Sequence, residues 1–75
     1  MQTYAVLIER EPGAPTVAAY SPDDAVNVTV VRDASVTDEE LVAAFKDALS
    51  EYLQSLELDG LPIPPARYRV ATVAA

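Results

Sequence analysis

The sequence predicts an α+β domain in the order β-β-β-α-β: a three-stranded antiparallel meander, one long helix and a fourth strand. Two observations carry that expectation. Runs rich in β-branched and aromatic residues recur at 3–9, 16–20, 26–31 and 67–73, with turn residues between the first three. A complete helix signature, with start, apolar face and stop, occupies residues 37–65.

The first run, Thr-Tyr-Ala-Val-Leu-Ile-Glu at 3–9, reads as a strand. Two prolines and a glycine at 11–15 make a loop, because proline fixes φ and donates no backbone hydrogen bond. Residues 16–20 return as a second strand of the hairpin. Ser21, Pro22, Asp23 and Asp24 form a turn, with Asp side chains able to cap local amides. Residues 26–31 alternate and are β-branched, giving strand three.

Thr37 is the expected N-cap. Its hydroxyl can accept from the Glu40 amide while Glu40 reaches back to the Thr37 amide, a capping box with Val36 and Leu41 at the staple positions. Asp38, Glu39 and Glu40 sit where the helix dipole favours negative charge. That acidic cluster is therefore read as capping, not as a metal or catalytic set. Leu41, Val42, Phe45, Ala48, Leu49, Tyr52, Leu53 and Leu56 form one stripe at 100° per residue. The helix is expected to end near Glu57, with Gly60 supplying the left-handed turn. Pro62, Pro64 and Pro65 force an extended path back along the sheet, into strand four at 67–73.

One helix covers one face of such a sheet, yet both faces carry apolar residues. Tyr4, Val6 and Ile8 point one way and Ala5 and Leu7 the other; Val26, Val28 and Val30 oppose Val31. In strand four, Tyr68 and Val70 oppose Ala71 and Val73. An uncovered apolar face predicts self-association, as a homodimer or tetramer.

Composition narrows the function classes. The chain has 75 residues, one domain over 1–75, with no cysteine and no histidine for a disulfide or a zinc site. Its net charge of −7 opposes phosphate backbones, so direct nucleic-acid binding is not expected, and a basic partner is favoured. No apolar run is long enough for a membrane span, and residues 1–3 lack the basic region of a signal peptide. A cytoplasmic protein with no cofactor and no metal is the expectation.

The assembled residues resemble the HicB-like antitoxin family. The family's opening Tyr-x-Val-x-Ile-Glu is matched at Tyr4, Val6, Ile8 and Glu9, and its Tyr-x-Pro-Asp turn at Tyr20, Pro22 and Asp23. Its helix start, Thr-x-Glu-Glu-Ala-Leu, is close to residues 37–42, and its helix end is similar to residues 48–53. Its stop, Asp-Gly-Leu-Pro-Ile-Pro, is matched at 59–64. The resemblance covers nearly the whole chain, and the helix-plus-stop segment is its specific part. After Asp23 the chain departs from the family's Leu-Pro-Gly-Cys segment, which leaves the conformation of the turn at 21–27 open. The family's frequent extra DNA-binding domain has no counterpart in these residues, so operator binding is not implied.

The resemblance implies a partial RNase H-like fold used as a binding module, not an enzyme. It implies an antitoxin that neutralises a small basic RNA-cleaving toxin of HicA type. The expected partner-binding residues are Tyr20, Asp23 and Asp24 in the turn, with the exposed acids Asp47 and Glu51 beside them. Each has a plainer role open to it: Tyr20 can close the core, and Asp23 and Asp24 can cap the turn. Two alternatives stand next to this reading. One is an orphan single-domain scaffold protein. The other, weaker, is a metal-dependent nuclease using Glu9, Asp23 and Asp24.

Overall fold

A computed structural model describes residues 2–75; Met1 lies outside the described residues. The architecture is α+β, with three strands in one sheet and one helix packed on it. Strand β1 is Leu7–Glu9, β2 is Thr16–Tyr20, β3 is Thr29–Asp33, and helix α1 is Asp38–Leu58. The strands form an antiparallel meander in the order β1-β2-β3. Gly13, at φ 81°, takes the left-handed conformation in the β1–β2 loop, where the Ala14 amide donates to the Glu11 carbonyl at 3.1 Å.

The register fixes two faces. Ile8 pairs with Ala19, and Ala19 with Val30; Leu7 pairs with Tyr20, and Tyr20 with Thr29. Val17, Ala19, Val26, Val28 and Val30 form the buried core with Leu41 and Phe45 of α1, and Tyr4 and Val6 pack against it. The alternate face, with Leu7, Ala18, Tyr20 and Val31, has no helix over it. Val31 is 54% exposed there. The helix covers one face only, as one helix must.

Helix α1 forms as its sequence dictates. The Glu40 amide donates to the Thr37 hydroxyl at 3.1 Å, and the Thr37 amide donates to the Glu40 carboxylate at 3.0 Å. The reciprocal pair satisfies two amides that the first turn leaves free. Of the apolar stripe, Leu41 and Phe45 are buried, while Ala48, Leu49 and Tyr52 are partly so; Ala44, outside the stripe, also packs against the core. Val42 lies on the flank. At the other end the Leu61 amide donates to Leu56 O and the Gly60 amide to Glu57 O, with Gly60 at φ 71°. This is a Schellman stop, in which glycine avoids the steric cost of the left-handed turn. No helix among the described residues is long and apolar enough to cross a membrane.

Two expected boundaries shift, and one expected strand does not join the sheet. Strand β1 begins at Leu7, not at residue 3, because residues 3–6 lie opposite the Ser21-Pro22 turn instead of a partner strand. Strand β3 is Thr29–Asp33, not 26–31. Val26 and Val28 are buried, but they lie in the turn and not in the strand, where the Val26 amide donates to Asp23 O and the Val28 amide to Val26 O. The fourth strand expected at 67–73 is not part of the sheet. Residues 62–75 run without regular secondary structure, and the Pro62, Pro64 and Pro65 positions have no amide to offer a ladder.

Candidate functional site

The turn after Tyr20 is built as a small scaffold of side-chain-to-backbone bonds. Pro22 presets the bend, and the Asp23 amide donates to the Ser21 hydroxyl at 3.1 Å. The Asp23 carboxylate accepts from the Ala25 amide at 2.9 Å, and Asp23 O accepts from the Val26 amide at 2.9 Å. The turn closes where the Ser21 amide donates to Val28 O at 3.2 Å. Helix α1 braces it, with the Tyr52 hydroxyl donating to Ala25 O at 3.3 Å.

Asp23 is the one buried charged residue among the described residues, with its side chain 6% exposed. Its partner comes from 44 residues away. Arg67 donates Nε to one carboxylate oxygen at 3.0 Å and an Nη to the other at 2.8 Å. A bidentate guanidinium pair of this kind fixes direction as well as distance. The Arg67 guanidinium, and then the Ala25 amide, hold the Asp23 carboxyl below its ordinary range, and Asp23 raises Arg67 in return. Arg67 also stands 5.5 Å from the centre of the Tyr68 ring.

This clamp moors the C-terminal segment to the body. Two further bonds support it: the Tyr4 hydroxyl donates to Pro64 O at 2.6 Å, and the Ala66 amide donates to the Gln2 side chain. Residues 3–6 and 66–70 together line an open cleft of about 810 Å³.

The five sequence-predicted residues fall into three settings. Tyr20, half-buried, ends β2 on the face away from the helix, so it does not belong to the main core. Asp23 is buried and engaged; Asp24 beside it is exposed. Asp47 and Glu51 are exposed on α1, one turn apart. Glu9, Asp23 and Asp24 do not assemble: among the described residues no group of three or more carboxylates could hold a metal ion.

Sequence reasoning missed two arginines. Arg67 completes the turn. Arg10 secures the β3–α1 connection, donating to Ala34 O, Val36 O and the Asp38 carboxylate, each at 2.9 Å. Neither pairing follows a local spacing rule, since the partners lie 24 to 44 residues apart. The one available signal for Arg67 was its position directly after a proline-rich return.

No protein-family model, no curated protein and no solved structure matches this chain.

Proposed function

We propose that this chain is a protein-binding module of antitoxin type, with a partial RNase H-like fold, that neutralises a small basic RNA-cleaving protein. The observation that carries the reading is the distribution of charge. Residues 1–60 hold all 12 acids and three of the five bases, Arg10, Arg32 and Lys46, for a net charge of −9. Asp24, Asp47 and Glu51 present that charge to solvent. Such a surface attracts a protein whose own basic surface binds RNA phosphates, and by occupying that surface it blocks the substrate. Tyr20, at the end of β2 on the uncovered face, supplies an aromatic contact next to the Asp24 charge. Asp23 acts indirectly, by holding the turn that presents both.

The test is genetic and kinetic. A gene adjacent to this one should encode a short basic protein whose expression arrests growth, and co-expression of this chain should restore growth. Reversing charge with Asp47→Lys plus Glu51→Lys should slow association with that protein by about tenfold at low salt. Absence of a short basic neighbour, together with no rescue of growth, defeats the proposal and leaves the orphan scaffold reading in its place.

A further inference from the structure

The open cleft lined by residues 3–6 and 66–70 has the composition of a ligand pocket. Its volume of about 810 Å³ falls within the range of small-molecule sites. Tyr4, Val6, Tyr68 and Val70 give it apolar and aromatic walls. Tyr68 and Val70 remain 42% and 56% exposed, so the fold itself does not cover them. The charged groups in the lining are two guanidiniums, Arg67 and Arg69, and among the described residues no carboxylate lines the cleft.

In a chain of net charge −7 this is a local reversal of sign. Asp23 balances Arg67 through Nε and Nη2, which leaves Arg67 Nη1 without a protein partner among the described residues. Arg69 makes no ion pair among them, so Arg69 sets the sign of the cleft. Tyr4 is tied by its hydroxyl to Pro64 O at 2.6 Å, which fixes one wall. The Arg67–Asp23 clamp fixes the other.

We infer that the cleft binds a small aromatic anion, a carboxylate or sulfonate carried on a flat apolar body. The anionic group pairs with Arg69 and with the unpartnered Nη1 of Arg67, as guanidinium donors pair with planar or tetrahedral oxyanions. The flat body lies against Tyr68, Val70 and Val6 and removes their exposed apolar surface from water. An inorganic anion would meet the guanidiniums and leave those walls wet. A cationic ligand would meet Arg69 with no acid to offset it. The acidic body repels an anion at long range, but at about 0.1 M salt that repulsion is screened beyond about 10 Å, whereas Arg69 acts at contact. The inference does not rest on the binding of a basic protein, which uses the acidic surface.

The test is a fluorescence titration of the full chain with anilinonaphthalene sulfonate at about 0.15 M salt. The probe should bind saturably, one per chain, and naphthoate should displace it. N-phenyl-naphthylamine, the same aromatic body without the sulfonate, should bind about tenfold more weakly. Arg69→Gln should weaken the sulfonate about tenfold and leave the neutral probe unchanged, with the helical circular dichroism retained. Should that variant lose its helix, the comparison of the two probes on the parent chain decides. Absence of saturable binding overturns the inference. Equal affinity for the two probes does so too, as does a sulfonate affinity that withstands Arg69→Gln, since either reduces the binding to uptake on apolar surface. Millimolar phosphate that displaces the probe as readily as naphthoate overturns it because the walls then contribute nothing. A dimer in light scattering that Arg69→Gln dissociates overturns it as well, by placing a second copy's acids in the cleft.

Discussion

Phe45→Ala tests whether the fold rests on one face of one helix. Leu41 and Phe45 are the only fully buried residues of α1 among those described, at 0% and 3% exposure. They carry the contact with β2 and β3. Truncating a buried Phe costs about 3–5 kcal/mol, from lost transfer energy and the cavity left behind. A chain of 75 residues has about 4–11 kcal/mol in all at typical stability per residue. The variant should therefore lose a large part of its stability. With a urea m-value of about 1 kcal/mol/M for so small a domain, the midpoint should fall by about 3–5 M. Val42→Ala is the control. Val42 is 38% exposed on the helix flank, and its two lost methyl groups should cost less than about 1 kcal/mol. Urea unfolding followed by helical circular dichroism measures both. A Phe45→Ala loss below about 1 kcal/mol at unchanged m would refute the one-face core. A Val42→Ala loss equal to that of Phe45→Ala would mean that something else covers the flank.

Thr37→Ala should cost about 1 kcal/mol by removing the cap, and should lower Tm by about 4–8 °C in thermal unfolding; an unchanged Tm would contradict the capping box. Asp23→Asn removes the charge that moors Arg67, so trypsin should cut after Arg67 several-fold faster than in the parent chain while the helix signal persists; equal rates would mean that the clamp does not restrain the segment. The same clamp predicts a pH dependence. The Asp23 carboxyl is lowered in the folded chain, first by Arg67 and then by the Ala25 amide. Its contribution is therefore fully present above the ordinary carboxylate value of about 3.9 and is lost as pH falls through the lower folded value. The Arg67 Hε resonance should shift with a midpoint below that ordinary value, and a midpoint at or above it would count against the pairing.

What could be read from the sequence is what depends on neighbours along the chain. The capping box at Thr37 and Glu40, the apolar stripe through Leu41 and Phe45, and the Gly60 stop each depend on residues within a few positions, and each forms. The meander was legible for the same reason, since hairpins join consecutive strands. The turn at 21–27 was not, because its geometry depends on a carboxylate whose partner lies 44 residues on. Read alone, Asp23 could cap a turn or face a partner, and burial beside Arg67 gives it a third role as an anchor. The period of the residues at 67–73 was identified, but its consequence was not. Alternation says that a segment can be a strand; it does not say that a neighbour is within reach. A strand needs a partner's amides and carbonyls, and residues 67–73 join no ladder of the sheet.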